Sequence, residues 1–212
     1  MPDSLNTPDI CKQIPRRGNR FSQWLGKTVL KLLGWRCTGK FPSASKLIII
    51  VAPHTSNWDF VIGIAVVFYL RLKISFFGKH SIFVGPFDGI LRRLGGIPIK
   101  RTAKHGVVDS MAANMKEADS MLLALSPEGT RSPISPWKTG FLHIAHKAQV
   151  PVVMVAFDYK NKQIDFGPQL DISDNIQYEL NRIYQYYQNV QGKYPEKMLT
   201  DIVPIAEKEI EK

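Results

Sequence analysis

Residues 46–59, with the sequence KLIIIVAPHTSNWD, contain the stretch that decides the fold. Lys46 to Ala52 is a short run rich in β-branched side chains, and Pro53 closes it. Such a run is typical of a strand buried on both faces, as in a parallel sheet. The loop from Pro53 to Asp59 follows directly, and α/β folds place ligand sites in loops after their strands. The sequence therefore predicts a candidate site in this loop.

Strand and helix patterns alternate along the rest of the chain. Further strand candidates are residues 74–77, 97–100, 121–125, 150–157 and 163–166. Helical patterns cover residues 58–70, 107–118, 138–148 and 175–188. Alternation of this kind predicts an α/β fold with a mainly parallel sheet flanked by helices. We expect residues 41–212 to form a single domain, because a chain of this size supports one packed core.

An amphipathic helix is predicted in the N-terminal segment, residues 1–40. Apolar and small side chains recur there at helical spacing: Phe21, Trp24, Leu25, Thr28, Val29, Leu32 and Leu33. Arg20, Lys27 and Lys31 lie largely off that face. A basic helix with tryptophan on its apolar side suits a membrane interface. The alternative is that the apolar face docks on the core of the protein.

The charge of the chain points to an anionic partner. Its 212 residues carry a formal net charge of +10, and residues 1–40 hold eight Lys or Arg against two Asp. Nucleic acid, a phosphorylated substrate and an anionic membrane surface all fit. With 44% apolar and 22% charged residues, the composition argues against a disordered chain.

The compartment is predicted from what the chain lacks. The longest apolar run, Val61 to Leu70, is half the length of about 20 residues that a membrane-spanning helix needs. No signal-peptide pattern follows the basic N-terminus. Cys11 and Cys37 have no metal-like spacing and do not resemble a disulfide framework. We therefore expect no transmembrane helix and a reducing, cytoplasmic location.

The loop after the first strand carries a histidine and an aspartate. His54 and Asp59 are five residues apart, and a loop can turn the carboxylate back toward the imidazole. An aspartate that accepts from one ring nitrogen leaves the other nitrogen free to accept a proton. The pair is thus a candidate oriented general base, although such pairs often only stabilise a fold.

Two other segments carry chemistry suited to an anion. Ser126 to Ser132 follows the strand at residues 121–125 and should open at the same sheet edge as His54. It offers a glycine for close backbone approach, two hydroxyls, and Arg131 for bidentate phosphate binding. Residues 95–101 end in Lys100 and Arg101 after a short apolar strand. The alternative for residues 126–132 is an ordinary turn with a helix cap. The alternative for Lys100 and Arg101 is a solvated charge pair.

Together these segments resemble the glycerolipid acyltransferase family, which includes the lysophosphatidic acid and glycerol-3-phosphate acyltransferases. The family pattern is H-x4-D, a G-x-I-x-I segment ending in a basic residue, P-E-G-T-R-S, and an apolar V-P-V segment. Here these stand, in that order, at residues 54–59, 96–101, 127–132 and 150–155. Lesser matches surround Lys79 and Lys138. The resemblance covers residues 46–157.

The resemblance implies a role for each site residue. His54 would be the general base that takes a proton from the acceptor hydroxyl, and Asp59 would orient it. The acceptor phosphate and glycerol would be bound by Arg101, Glu128, Gly129, Thr130 and Arg131. Supporting residues would be Ser56, Lys79, Lys100, Ser132 and Lys138. The hydroxyl would attack the thioester directly, and the chain lacks the G-x-S-x-G motif of serine nucleophiles.

The same resemblance implies substrates and partners. The donor would be acyl-CoA or acyl carrier protein, with no cofactor and no metal. The acceptor would be a lysophospholipid, and above all 1-acyl-glycerol-3-phosphate, in phospholipid biosynthesis. We expect a peripheral protein on an anionic membrane, at the inner face of the cell membrane, with no nucleic-acid partner.

Two alternatives remain open at this point. One is an acyltransferase for another lysolipid, such as a lyso-amino-acid lipid. The other is a non-catalytic protein that binds membrane or nucleic acid through its basic surface. Pro53 and Ser126 depart from the residues that many members of the family carry there. Neither departure changes the His54–Asp59 pair, but both lie at the site.

Overall fold

The structure is a computed structural model that describes residues 10–99, 104–130, 132 and 136–198. Its helices are α1 (Arg20–Leu32), α2 (Trp58–Leu70), α3 (Pro86–Arg93), α4 (Lys104–Glu117), α5 (Gly140–Ala148) and α6 (Ile176–Tyr187). Its strands are β1 (Arg36–Gly39), β2 (Lys46–Ala52), β3 (Ile74–Lys79), β4 (Gly96–Ile99), β5 (Met121–Leu125), β6 (Val152–Asp158) and β7 (Gln163–Leu170). Strands and helices alternate along most of the chain.

The strands form one seven-stranded sheet in the order β1-β7-β6-β2-β5-β3-β4. All its pairings are parallel except that of β6 with β7. The prediction of a mainly parallel α/β sheet flanked by helices is therefore confirmed. β2 lies between β5 and β6, so the strand predicted from the KLIIIVA run is central.

Two apolar cores cover the two faces of the sheet. Ile48 and Ile50 of β2 join the core that includes side chains of α4, α5 and α6. Leu47 and Ile49 join the opposite core, which includes side chains of α1 and α2. Successive side chains of a strand point to opposite faces, so a strand covered on both faces is apolar throughout.

Helix α1 packs on α2 along one margin of its predicted apolar face. Gly26 and Leu30 are buried, and Val29 and Leu33 of the predicted face are partly buried against the same core. A Cβ on Gly26 would lie 2.4 Å from the Ala65 carbonyl oxygen, so glycine allows the two helices to touch. The other large apolar side chains of that face point outward: Phe21, Trp24, Leu25 and Leu32 are 67%, 59%, 37% and 81% exposed. The predicted helix is confirmed, and its apolar face docks on the core only along this margin.

Two elements escaped the sequence analysis. β1 lies within residues 1–40, pairs in parallel with β7 and is an outermost strand of the sheet. Its four residues, RCTG, are too few to show strand periodicity. α3 buries none of its residues, although Phe87, Ile90 and Leu91 stand at helical spacing. This spacing and Pro86 at the start of α3 were the available signals, because proline favours the first helical turn.

Helix length also bears on membranes. Among the described residues, every helix is too short or too polar to cross a bilayer.

Candidate active site

The sheet brings two predicted site loops to one edge. β2 and β5 are adjacent and parallel, with Ile50 opposite Leu125 near their carboxyl ends. Residues 53–59 continue from β2, and the segment that begins at Ser126 continues from β5. Both loops therefore open at the same edge, as the sequence analysis expected.

His54 and Asp59 lie in contact within the first loop. His54 Nδ1 is 3.2 Å from Asp59 Oδ2. The Asp59 side chain is buried, whereas about a quarter of the His54 side chain (24%) is exposed. When Nδ1–H donates to the carboxylate, Nε2 is the ring nitrogen that can accept a proton. The geometry therefore suits a general base directed away from Asp59.

Local hydrogen bonds fix the loop in this shape. The Ser56 backbone N–H donates to Asp59 Oδ2 at 2.8 Å, so the carboxylate closes the turn that begins α2. The Ser56 hydroxyl oxygen accepts from the Trp58 backbone N–H at 3.1 Å. Ser and Asp satisfy free N–H groups at helix starts in this way. Ser56, a predicted supporting residue, thus has a structural contact with Asp59.

Glu128 connects the second loop to the first. Its Oε2 accepts from the His54 backbone N–H at 2.8 Å and from the Ser126 hydroxyl at 3.1 Å. Burial raises the pKa of Glu128 to about 7, although the hydrogen bonds from His54 and Ser126 oppose that rise. Nearby His54 also lowers this pKa and Asp59 raises it. Glu128 therefore holds the backbone at His54, a contact beyond its predicted part in acceptor binding.

The rest of the second loop is compact. Gly129 has a φ of +62°, and a Cβ there would lie 2.6 Å from the Lys138 Nζ. Glycine thus lets the tip of the Lys138 side chain approach the backbone. Thr130 Oγ1 accepts from the Ser132 backbone N–H at 3.4 Å. The structure thereby brings Gly129 and Lys138 together, and their predicted parts in acceptor binding stay predictions.

The remaining predicted site residues are not joined to the dyad by the geometry described here. Lys79 is the exposed last residue of β3, at the carboxyl end of a strand that pairs in parallel with β5. Lys100, Arg101 and Arg131 lie outside the described residues. Their predicted contacts with an acceptor phosphate stay predictions.

Sequence reasoning missed one residue that touches the dyad. The Tyr159 hydroxyl donates to Asp59 Oδ1 at 2.6 Å. Burial raises the pKa of Tyr159, and its hydrogen bond to Asp59 and the charge of that carboxylate raise it further. Tyr159 follows β6, which pairs in parallel with β2, so it lies at the same sheet edge. The signal was its position directly after that strand.

Metal ligands are a separate question. Within the described part of the chain, no three His, Cys, Asp or Glu side chains are grouped so that they could hold a metal ion. The chemistry that this geometry offers is proton transfer by an oriented imidazole, next to a glycine-containing loop with a lysine.

Comparison with known proteins connects this geometry to a family. The family model described as Acyltransferase matches residues 35–158, which is more than half of the chain. The match includes the sheet from β1 to β6, the His54 loop and Glu128. This chain belongs to the acyltransferase family. Residues 53–59 and the start of the loop at Ser126, which meet at the sheet edge, are both inside the matched range.

Individual relatives agree with the family. The 1-acyl-sn-glycerol-3-phosphate acyltransferase of Haemophilus influenzae is 28% identical over 156 residues, which are 69% of this chain and 63% of that relative. The enzyme of the same name from Escherichia coli is 30% identical over 126 residues, or 56% of this chain and 50% of that relative. The matched region thus spans between half and two thirds of these curated relatives.

A solved structure has a similar fold. The crystal structure of the 1-acyl-sn-glycerophosphate (LPA) acyltransferase PlsC from Thermotoga maritima superposes with a TM-score of 0.55. Sequence identity is 17%, and the match covers 82% of the present chain and 81% of the Thermotoga maritima chain. At this identity the comparison supports the fold alone.

Proposed function

We propose that this protein transfers a fatty acyl chain from acyl-CoA or acyl carrier protein to the hydroxyl of a lysophospholipid in phospholipid biosynthesis. The acceptor that fits best is 1-acyl-glycerol-3-phosphate. The observation that carries the proposal is the contact of His54 Nδ1 with the buried Asp59 carboxylate, inside the range that matches the acyltransferase family. The names of the relatives support the choice of acceptor.

The reaction needs one base and no cofactor. His54 Nε2 takes the proton of the acceptor hydroxyl as its oxygen attacks the thioester carbonyl carbon. The new C–O ester bond forms, the C–S bond breaks, and the imidazolium returns the proton to the departing thiolate. Asp59 holds the ring in the required tautomer throughout.

The acceptor phosphate would lie next to the glycine loop. Gly129 lets Lys138 approach the backbone there, and a lysine is a point charge suited to phosphate. Arg101 and Arg131 would add bidentate contacts, in keeping with the family resemblance. Thr130 and Ser132 would offer hydrogen bonds from the same loop.

A membrane surface would supply the lysolipid. Large apolar side chains of α1 are exposed, and Arg20 and Lys31 are exposed beside them. This combination supports peripheral binding to an anionic membrane, because aromatic rings and basic side chains suit the headgroup region. We place the protein at the inner face of the cell membrane, where acyl-CoA and acyl carrier protein are supplied.

The test is an acceptor panel. Purified protein receives labelled acyl-CoA, or labelled acyl carrier protein, with one of four acceptors: 1-acyl-glycerol-3-phosphate, glycerol 3-phosphate, a monoacylglycerol and a lyso-amino-acid lipid. We expect label in phosphatidic acid from the first acceptor and little from the monoacylglycerol, which lacks the phosphate. Preferential labelling of the amino-acid lipid would replace the proposed acceptor, and no transfer to any of them would contradict the proposal.

A further inference from the structure

Tyr159 is the side chain that touches the dyad and has no part in the proposed reaction. Its hydroxyl donates to Asp59 Oδ1 at 2.6 Å across 100 residues of sequence. Tyr159 comes directly after β6, and β6 runs beside β2 with Ala52 opposite Ala156. The sheet register therefore brings this tyrosine to the loop that carries the dyad.

The contact completes the environment of a buried carboxylate. Asp59 is 2% exposed, so water cannot solvate it freely. Its Oδ2 faces His54 Nδ1 and accepts from the Ser56 backbone N–H. Its Oδ1 accepts from Tyr159. With a different donor on each oxygen, the carboxylate is held in the one rotation that directs Oδ2 at the imidazole.

The tyrosine ring is itself held in place. Trp35, which is buried, packs edge-on against it with ring centroids 4.8 Å apart and an angle of 88°. The Tyr159 backbone N–H donates to the Gln191 carbonyl oxygen at 2.8 Å. Lys162 Nζ lies 5.8 Å from the ring centroid. A ring fixed on several sides can hold its hydroxyl on Asp59 without losing further rotational freedom.

We propose that Tyr159 is a positioning residue of the acyl transfer, which fixes the Asp59 carboxylate and through it the direction of the His54 base. This inference rests on the proposed function. Tyr159 does not touch the reacting atoms. It acts on the rate only through Asp59 and His54, which makes its effect separable from a role in folding.

The first test is Tyr159→Phe, which removes the hydroxyl and keeps the ring against Trp35. A hydrogen bond to a charged group is worth enough to predict a kcat about 10- to 100-fold lower. KM for the donor and for the acceptor should stay within about twofold, because the hydroxyl bonds Asp59 and a positioning residue contributes to kcat rather than to substrate binding. A wild-type kcat in the folded variant would overturn the inference.

Tyr186 offers a matched control. Its hydroxyl donates to Asp165 Oδ2 at 2.7 Å, a bond of the same kind that lies between α6 and β7. Tyr186→Phe should lower the unfolding midpoint about as much as Tyr159→Phe does, because each variant loses one hydrogen bond to an aspartate. It should leave kcat unchanged. If the two variants lower kcat equally, the loss reports weakened folding, and the positioning role is wrong.

A double-mutant cycle identifies the route of the effect. In a His54→Ala background, Tyr159→Phe should change the residual single-turnover rate by less than about twofold, because the base that it positions is gone. A full 10- to 100-fold further loss would show that Tyr159 acts independently of His54 and would overturn the inference.

The same measurements separate this inference from the function on which it rests. If His54→Ala keeps wild-type turnover, the proposed general base is wrong and the inference fails with it. If His54→Ala is inactive and Tyr159→Phe has wild-type kcat, the proposed function stands and only the positioning role fails.

Discussion

Two regions of the molecule show unusual burial. The sheet edge after β2 and β5 buries acidic side chains, whereas the outer face of α1 exposes large apolar ones. At the edge, the carboxyl groups of Asp59 and Glu128 are only 2% and 8% exposed. On α1, the aromatic side chains of Phe21 and Trp24 are 67% and 59% exposed. Globular proteins usually bury large apolar groups and leave carboxylates in water.

The two regions tolerate these departures by different means. Asp59 accepts hydrogen bonds from Ser56 and Tyr159, and Glu128 accepts them from His54 and Ser126. These bonds offset part of the cost of burying each carboxyl group. Phe21 and Trp24 contact each other, with ring centroids 5.9 Å apart, and otherwise face outward. An exposed apolar patch flanked by basic residues indicates an external partner. The comparison suggests that one region serves chemistry and the other serves docking.

The largest expected effect tests the chemical half of the comparison. His54→Ala should lower turnover by about 10²- to 10⁴-fold, the usual contribution of a positioned general base. Binding to anionic vesicles should not change, because the proposed vesicle-binding surface is α1 and His54 is not part of it. Turnover and vesicle sedimentation are measured on the same preparation. A folded variant that keeps more than about a tenth of wild-type turnover would contradict the role of His54.

The second prediction concerns the cost of burying Glu128. Its pKa is raised from 4.5 to about 7, so the folded state favours the protonated carboxyl. The resulting stabilisation is complete below pH 4.5 and is lost as the pH rises through 7. Glu128→Gln keeps an oxygen acceptor but does not ionise. Relative to this variant, the wild type should lose up to about 3 kcal/mol of unfolding free energy between pH 4 and pH 8.

Urea unfolding of both proteins at the two pH values measures this difference. A Ser126→Ala variant serves as a control, because it removes one hydrogen bond to Glu128 and leaves the carboxyl in place. Because this hydrogen bond lowers the pKa of Glu128, the Ser126→Ala protein should lose at least as much unfolding free energy between pH 4 and pH 8 as the wild type does. An unchanged difference between wild type and Glu128→Gln across this range would mean that burial does not set the ionisation of Glu128.

The smallest expected effect tests the docking half. Trp24→Ser should weaken binding to vesicles that contain phosphatidylglycerol by about tenfold, because one large apolar side chain no longer enters the interface. The unfolding free energy should change by less than about 0.5 kcal/mol, as for other exposed positions. Vesicle sedimentation and urea unfolding report the two quantities.

Tyr178 provides the matched control for this substitution. It is an aromatic residue on α6 that is 47% exposed, on a helix whose apolar face packs into the core. Tyr178→Ser should leave vesicle binding unchanged. Equal weakening by both substitutions would mean that vesicles bind without a preferred face, and α1 would lose its proposed role.

The two amphipathic helices show where sequence periodicity stops being informative. The same spacing argument predicted α1 and α6, and both helices are present. In α6 the apolar side chains Leu180 and Ile183 are buried in the core. In α1 the helix packs through Gly26 and Leu30, whereas the large apolar side chains of Phe21, Trp24 and Leu32 remain outside. Periodicity shows that apolar side chains share a face, but the neighbour of that face depends on how closely another helix can approach.

The sequence by itself determined the central strand, the mainly parallel sheet and the placement of two site loops at one edge. These features follow from local patterns. A β-branched run and its alternation with helices can be recognised in the sequence without any knowledge of tertiary contacts. The pairing of His54 with Asp59 was also predictable from the sequence, because both residues lie in one short loop. Only the tertiary structure decided that Glu128 accepts from the His54 backbone and that Tyr159 donates to Asp59. Those contacts join residues 74 and 100 positions apart, and no local pattern encodes the register that brings separate strands together.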